Sequence, residues 1–244
     1  MRWRLELSYF GKAYCGWQKQ PGDVTVQQTL EEAFSTILRE PVEITGCGRT
    51  DTGVHARRYT AHLDVTSVIY SPKILYQVNS ILPPDIAVHS ITETDFSFHS
   101  RFDAIERHYK YYLHFDKDPF TIHQSYQFSQ NADLDMVAMQ ETALLIKEYN
   151  EFLPLCKTGS DAGHYKCTVT ESHWIFEDHK ATYSIKANRF LRGMVRLIVG
   201  ACLNAGLGKL SLQDIKNSMD TQTPLPISWS VPPDGLFLED VVYP

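Results

Sequence analysis

An arginine and an aspartate two residues apart, on a stretch bounded by glycines, are the residues of this chain best suited to chemistry. Arg49 and Asp51 lie within residues 46–56, which read Gly-Cys-Gly-Arg-Thr-Asp-Thr-Gly-Val-His-Ala. An arginine can keep a neighbouring carboxylate ionised and can also bind phosphate. An ionised, oriented aspartate can act as a covalent nucleophile or a general base. The simpler alternative is structural, with Asp51 capping its own turn and Arg49 in solvent, because an isolated Arg-x-Asp spacing is a weak motif.

Two other uses of such a stretch find little support in the sequence. A nucleotide-binding loop is not indicated, because Gly46-x-Gly48 is not followed by x-x-Gly and no Gly-Lys-Ser/Thr occurs. The five cysteines are scattered without a Cys-x-x-Cys, and His55 with His62 lacks the second ligand pair of a zinc site. We therefore expect no metal and no disulfide, which suits a reducing compartment.

The loop is flanked by strands in a larger βαββαβ pattern. Apolar residues at 59, 61, 63 and 65 alternate with polar ones at 60, 62 and 64, which predicts a strand. A capping box at Thr25 opens one helix, and Ser71-Pro72 opens another with Ile81 facing inward. The predicted elements of this half are strands at 3–7, 42–45, 59–65 and 86–91 and helices at 26–38 and 72–82.

The second half repeats this order after a junction within residues 93–105. Its predicted elements are strands at 108–115, 167–176, 180–187 and 235–239 and helices at 134–145 (capped by Asp133), 188–205 and 211–219. We therefore predict an α+β fold of two ferredoxin-like halves, 1–104 and 105–244. Their strands would form an extended mixed or antiparallel sheet with helices on one side and a cleft between the halves.

Charge and hydropathy restrict the possible partners. The formal net charge of −6 counts mildly against a nucleic acid, but a binding protein needs only a local basic face. Three segments supply local positive charge: residues 49–58, 101–110 and 186–196. No stretch approaches the roughly twenty apolar residues of a membrane span, and no signal peptide is visible. These features favour a cytoplasmic protein without a membrane partner.

Several blocks of the sequence resemble the tRNA pseudouridine synthase A family, in the order in which that family has them. They are residues 14–20 (Tyr-x-Gly-Trp-Gln-x-Gln), 48–56, 107–111 (Arg-His-Tyr-Lys-Tyr), 186–200 with Met-Val-Arg at 194–196, 235–238 and 243–244. The resemblance therefore extends over nearly the whole chain. It implies the pair of ferredoxin-like halves with the active site between them.

The resemblance also implies a reaction and a nucleophile. Asp51 would attack the target uridine, whose base is detached from the ribose, rotated and rejoined through carbon. Arg49 would help to hold the target nucleotide out of its helix. The reaction needs no redox step and no electron sink, so no cofactor is expected.

Two residues of the second half complete the implied catalytic set. Tyr109 would stack on the flipped base and could assist proton transfer at carbon 5, although an aromatic residue on an alternating strand is usually part of the core. Arg196 would pair with Asp51 and keep it charged, the alternative being an arginine on a helix surface. From the local basic segments, Arg58 and Lys186 are further predicted substrate contacts.

The interpretation that joins these features is a cytoplasmic tRNA pseudouridine synthase. As the resemblance implies, it would act as a homodimer on uridines 38 to 40 of the anticodon stem-loop. The first alternative is a non-catalytic RNA-binding protein built on ferredoxin-like sheets, which would need exposed aromatic residues on strand centres. The second is an aspartate-dependent hydrolase of a nucleoside or sugar, which would usually need a second acid near Asp51.

Overall fold

In the computed structural model, which describes residues 1–66, 71–129, 134–157, 159 and 163–244, the chain is a mixed α+β protein. It divides into two compact units, Met1–Ile105 with Phe237–Pro244, and Glu106–Leu236. The sequence pattern assigned all of residues 105–244 to the second half. The structure differs from that assignment at the C-terminus, because Phe237–Pro244 groups with the first unit.

The first unit follows the predicted βαββαβ order. Its elements are β1 (Arg2–Tyr9), α1 (Val26–Leu38), β2 (Ile44–Gly46), β3 (His55–Asp64), α2 (Ser71–Ile81) and β4 (Ile86–Thr94). β1 lies between β3 and β4 and is antiparallel to both, while β2 pairs with β3. These strand pairings attach both ends of the Asp51 loop to the sheet, because β2 leads into the loop and β3 leads out of it.

The described residues of the second unit form three long antiparallel strands and three α-helices. Its elements are β5 (Glu106–His114), β6 (Tyr126–Gln127), α3 (Met136–Ile146), β7 (Val169–Glu177), β8 (Lys180–Ala187), α4 (Met194–Gly206) and α5 (Leu212–Thr221). β8 lies between β5 and β7, and β6 is parallel to the end of β5. Almost every residue of α4 is buried, which makes it the central helix of this unit.

The last strand explains why the C-terminus groups with the first unit. β9 (Leu236–Val242) pairs in parallel with β3, placing Phe237 opposite His55 and Leu238 opposite Ala56. Beyond it, the Tyr243 hydroxyl donates a hydrogen bond to the carbonyl of Ser100. Sequence periodicity predicted this strand but carried no information about its pairing partner.

Helix starts were predicted well where a cap is local. The Thr25 side chain accepts a hydrogen bond from the Gln28 amide nitrogen at 3.3 Å, which confirms the start of α1. The other half of the predicted capping box is absent there, since the Gln28 side chain donates to Glu32 instead. The cap predicted at Asp133 lies outside the described residues, and the side chain that caps α3 is Asp135.

The start of α4 was predicted six residues too early. Residues 188–193 form a loop in which the Asn188 side chain accepts from the Thr168 amide nitrogen at 2.8 Å. Gly193 then begins the helix with a left-handed φ of 69°. The loop is fixed by contacts with distant residues, so helical periodicity could not reveal it. On α2, Ile81 is 49% exposed and does not face the core, contrary to the predicted pattern.

Two polar residues of β3 are buried, although they alternate with the apolar residues of the strand. Thr60 and His62 are each 5% exposed. The cover over His62 includes Ser100, whose amide nitrogen donates to His62 Nδ1 at 3.2 Å, while its hydroxyl donates to the Thr45 carbonyl at 2.8 Å. Burial, with a smaller effect of Arg2, lowers the pKa of His62 to about 4. His62 is therefore neutral at pH 7 and accepts at Nδ1.

We expect the stability of the protein to fall between about pH 6.5 and 4 because of His62. The unfolded chain binds a proton on this histidine near pH 6.5, whereas the folded chain does so only near pH 4. The contribution of neutral His62 is thus complete above pH 6.5 and lost as the pH falls to 4. Allowing for screening by nearby solvent, it amounts to about 2 kcal/mol. Urea unfolding of wild type and His62→Gln at pH 7.5, 5.5 and 4.5 measures it.

Other groups also titrate on acidification, so the informative quantity is the difference between the two proteins. The advantage of wild type over His62→Gln should shrink as the pH falls. A difference that stays constant across this range would show that the His62–Ser100 contact does not depend on the neutral imidazole.

Three further observations concern the described residues as a whole. Within residues 1–66, 71–129, 134–157, 159 and 163–244, no helix is long and apolar enough to cross a membrane. The same residues contain no group of three His, Cys, Asp or Glu side chains that could hold a metal ion. All five cysteines are free thiols.

Candidate active site

In the first unit, Asp51 opens a tight turn between β2 and β3. The Val54 amide nitrogen donates to the Asp51 carbonyl at 3.2 Å, and Gly53 has a φ of 79°. A turn of this kind needs a residue that tolerates positive φ at its third position, which glycine provides. Because the Asp51 backbone closes the turn, its carboxylate is not required for that hydrogen bond. Asp51 itself is half-buried, and Arg49 is exposed.

Three buried aromatic rings support the loop from beneath. Trp17 stacks on Tyr59 with ring centroids 4.0 Å apart, and Tyr9 lies 5.5 Å from Tyr59. The Tyr9 hydroxyl hydrogen-bonds to the Thr50 hydroxyl at 2.9 Å, and the Tyr59 hydroxyl donates to the Gly48 carbonyl. Residues on both sides of Arg49 are therefore fixed by buried partners. Such support restricts the positions that the Arg49 and Asp51 backbone can take.

The segment before α1 holds the loop from a second side. The Trp17 amide nitrogen donates to the Thr50 carbonyl at 3.3 Å, and the Gly53 amide nitrogen donates to the Tyr14 carbonyl at 3.2 Å. Gly16, between these contacts, has a φ of 82°, and a Cβ there would lie 2.3 Å from the Thr50 carbonyl oxygen. Only glycine allows the two backbones to approach so closely. Sequence reasoning identified this block by resemblance but missed its role as the clamp of the loop.

His55, considered above as a metal ligand, is instead fully buried at the start of β3. Its ring stacks on Phe10 with centroids 4.2 Å apart and contacts Phe237 at 4.5 Å. Its Nδ1 accepts a hydrogen bond from the Gly11 amide nitrogen at 2.9 Å. His55 therefore packs the exit of the loop against the last strand.

Arg58 lies on the exposed part of β3 just after the loop. Its side chain is 77% exposed, and its guanidinium is 3.9 Å from the Asp240 carboxylate. Exposed ion pairs of this kind contribute little, so the guanidinium can bind a phosphate at small cost. The neighbouring Arg57 is paired with Glu239 at 3.1 Å and lies over the Phe237 ring.

In the second unit, Tyr109 differs from the other residues on its face of β5. Tyr111 and Leu113 are buried, which confirms that this face belongs to the core, whereas Tyr109 is half-buried. The Tyr109 ring meets Phe190 edge to face at 5.1 Å. Tyr109 thus keeps part of its ring surface accessible while its orientation is fixed by a neighbour.

Arg196 lies in the first turn of α4 and is half-buried, in agreement with the prediction that it is not a surface residue. Its Nε donates to the Val231 carbonyl at 2.6 Å. This bond fixes the base of the guanidinium. An arginine oriented in this way is suited to hold a carboxylate or phosphate group.

Lys186 forms an ion pair within the second unit. Its Nζ is 2.7 Å from Glu171 on the neighbouring strand. Burial alone would raise the pKa of Glu171, but hydrogen bonds from Lys186 and Ser184 outweigh it and lower that pKa. The ion pair is therefore formed at neutral pH, and RNA would have to compete with Glu171 for this lysine.

Comparisons of the sequence with known proteins give matches over most or all of this chain. The family model described as tRNA pseudouridine synthase matches residues 7–103 and 149–244. The tRNA pseudouridine synthase A of Azobacteroides pseudotrichonymphae is 39% identical, with 100% of this chain and 97% of the relative aligned. The proteins of the same name from Porphyromonas gingivalis and Chlorobaculum tepidum are 40% and 35% identical, and the alignments cover 97% of each relative.

Proposed function

Because the chain belongs to the tRNA pseudouridine synthase A family, we propose that it isomerises uridine to pseudouridine in the anticodon stem-loop of tRNA, at positions 38 to 40. The observation that carries this proposal is the loop around Asp51. Asp51 lies in the region that the family model matches, and the backbone of its loop is held by contacts with Trp17 and Gly16 and by the Tyr9–Thr50 hydrogen bond. A rigid loop can present a nucleophile in one fixed position.

The proposed reaction rearranges bonds without changing the atoms of the uridine. The bond between N1 of the base and C1′ of the ribose breaks, and a bond from C5 to C1′ forms. The hydrogen on C5 leaves as a proton, and N1 gains a proton. Asp51 is the proposed nucleophile that allows the base to detach and rotate. Since nothing is oxidised or reduced, the reaction requires no cofactor.

Three further residues are proposed to act with Asp51. Arg49, exposed two residues before it, would hold the flipped nucleotide by space filling or by binding phosphate. Tyr109 would stack on the uracil ring with its accessible face. Arg196 would keep the Asp51 carboxylate ionised, a role that rests on the family motif.

We also propose the broader setting that the family resemblance implies. Arg58 and Lys186 would contact the tRNA, with Arg58 the better placed of the two because it is the more exposed. The enzyme would act in the cytoplasm as a homodimer. The first unit would be one ferredoxin-like half, as supported by its element order and by the position of β1 between β3 and β4.

An RNA-binding protein without activity is less well supported. Such a module would present aromatic residues at the centres of its strands. Among the described residues, the aromatic side chains that are more than half exposed are Tyr76, Phe96, Phe102 and Phe120, and none of these lies on a strand.

Release of the C5 hydrogen tests the proposed reaction directly. An unmodified tRNA transcript carrying tritium at C5 of uridine should release tritium to water when the wild-type enzyme is added. Transcripts in which uridines 38 to 40 are replaced by cytidine serve as the control and should release none. Full release from the control would move the target outside this region, and no release from any transcript would reject the isomerase.

Changes at Tyr109 should separate stacking from proton transfer. Base–aromatic stacking is worth about 1–3 kcal/mol, so Tyr109→Leu should lower kcat/KM about 5- to 150-fold. Tyr109→Phe keeps the ring and removes the hydroxyl. If Tyr109 only stacks, the kcat of Tyr109→Phe will match that of wild type within about twofold. If Tyr109 also transfers a proton, the kcat of Tyr109→Phe will be about 10²-fold below that of wild type. Single-turnover tritium release distinguishes the two results.

A further inference from the structure

We propose that Arg49, Arg101 and Phe102 form a binding site for an RNA nucleotide next to the target uridine, with its phosphate on the two arginines and its base on the phenylalanine. This inference rests on the proposed function and extends the substrate site of the first unit to a segment that the family motifs left unused. We call it the Arg101 subsite. It lies in a shallow cleft between the Asp51 loop and the segment after β4.

The charge of this cleft suits an anion. Both arginines are exposed, and each comes from a different segment of the chain. The described residues that line the cleft include no acid, although acids outnumber bases in the chain as a whole. The main lining residues are Trp17, Gln18, Gly46, Gly48, Arg49 and Arg101. Two guanidinium groups over one recess are a common arrangement for binding phosphate.

The second wall of the cleft is rigid. Ser100 is fully buried, and its hydroxyl donates to the carbonyl of Thr45, itself a lining residue, at 2.8 Å. The Ser100 amide nitrogen donates to His62 at 3.2 Å, and its carbonyl accepts from the Tyr243 hydroxyl. These three bonds fix the backbone immediately before Arg101. A pre-positioned arginine loses less freedom when it binds a ligand.

Phe102 supplies a surface for a base. It is 73% exposed, yet its backbone is held because its amide nitrogen and that of Arg101 both donate to His99 Nδ1, at 3.3 and 3.2 Å. The His99 ring lies against Phe102 with centroids 4.2 Å apart, and the Arg101 guanidinium is 5.6 Å from the Phe102 centroid. An exposed aromatic ring beside a cation is the usual platform for an unstacked base.

The floor of the cleft leaves room for such a ligand. A Cβ at Gly48 would meet no atom within 4 Å, so the backbone there is open to a close approach. Gln18 is exposed at the rim, and its amide offers both a donor and an acceptor to a base edge. A single-stranded nucleotide, with one phosphate and one accessible base, uses all of these groups. A duplex would hide its base edges and could not stack on Phe102.

Equilibrium binding of an unmodified tRNA transcript tests the Arg101 subsite, with fluorescence anisotropy measured at several salt concentrations. Arg101→Gln should weaken binding about tenfold and reduce the slope of log Kd against log salt by about 0.7 to 1, the value for one phosphate contact. Phe102→Leu should weaken binding about 5- to 10-fold with the slope unchanged, because stacking releases no counterion. Arg101→Lys should restore most of the slope.

Matched variants control for general effects. Lys73→Gln removes an exposed charge on α2, and Phe96→Leu removes a ring that is 65% exposed and covered by Arg2 at a cation–π distance of 5.3 Å. Both should bind tRNA within twofold of wild type. The weaker binding of Arg101→Gln should also appear as a raised KM for tRNA. Thermal unfolding checks that each variant is folded.

The outcomes separate this site from the proposed function. Weakened binding by Arg101→Gln and Phe102→Leu but not by the two control variants, with the altered salt slope for Arg101→Gln, supports the subsite. This holds even if the wild-type protein releases no tritium, a result that would reject the isomerase and keep the RNA site. Tritium release by wild type together with unchanged binding by Arg101→Gln and Phe102→Leu overturns the subsite and keeps the isomerase. Equal losses in the Lys73 and Arg101 variants would show only a general charge effect and would also overturn it.

Discussion

Replacement of Asp51 by asparagine should abolish pseudouridine formation while the protein still folds and binds tRNA. Removal of a covalent nucleophile typically costs on the order of 10⁴-fold or more in rate. Asparagine has the same size as aspartate, but its amide can neither attack carbon nor accept a proton at neutral pH. Tritium release from C5-labelled tRNA, followed under single-turnover conditions, measures the loss.

The structure explains why folding should survive this change. The turn at residue 51 is closed by the backbone carbonyl of Asp51, and the loop is supported through Thr50, Gly48 and Gly53. These contacts remain when asparagine, which has the same size, replaces aspartate. We therefore expect the urea midpoint of Asp51→Asn to stay close to that of wild type and its Kd for tRNA to change by less than about threefold.

A neighbouring substitution controls for disturbance of the loop. Thr52 is exposed next to Asp51, and Thr52→Ala should keep most of the activity. If Asp51→Asn retained more than about a tenth of the wild-type rate, Asp51 would be a turn residue and the nucleophile would have to be sought elsewhere. If Asp51→Asn lost tRNA binding as well as turnover, the carboxylate would organise the binding site and the assignment of a purely chemical role would be wrong.

Predictions from the sequence were correct where a structural feature depends on residues close to one another in the chain. The alternation in residues 3–7 predicted a strand, and the structure confirms it as β1, with Trp3, Leu5 and Leu7 buried. The local cap at Thr25 likewise confirmed the start of α1. Such features follow from the period of the chain and from hydrogen bonds within a few residues.

The errors arose where distant residues decide the outcome. His62, one of the polar residues of β3, is buried because Ser100, thirty-eight positions away in the sequence, covers it. Asn188 leaves the expected helix because it bonds to Thr168 across a strand pair. Periodicity describes each segment alone, so it assigns a polar residue to solvent when another segment in fact supplies its partner.

At the candidate site, too, the sequence located the local feature but not its distant contacts. The motif around Asp51 located the loop, but the residues that clamp it belong to a separate block, where Trp17 and Gly16 contact Thr50. A tryptophan next to a glycine in a polar loop is a usable signal, since a large ring in such a loop needs a buried site. The identity of that site could only come from the structure.

Gly16→Ala should strongly destabilise the protein and disturb the candidate active site. A Cβ at this position would lie 2.3 Å from the Thr50 carbonyl oxygen, a backbone atom that cannot move without its loop. Its φ of 82° adds strain for any residue with a side chain. We expect a loss of about 3 kcal/mol or more in the free energy of unfolding, measured by urea denaturation.

Gly22→Ala separates the two causes, because Gly22 has nearly the same φ of 84° but no atom within 4 Å of its would-be Cβ. Strain alone should cost that variant about 1–2 kcal/mol and leave the isomerisation rate unchanged. Gly16→Ala should additionally lower the single-turnover rate about 10²-fold, since the Thr50–Asp51 backbone must shift to admit the methyl group. If the two variants were equally stable and equally active, the contact between Gly16 and Thr50 would not position the nucleophile.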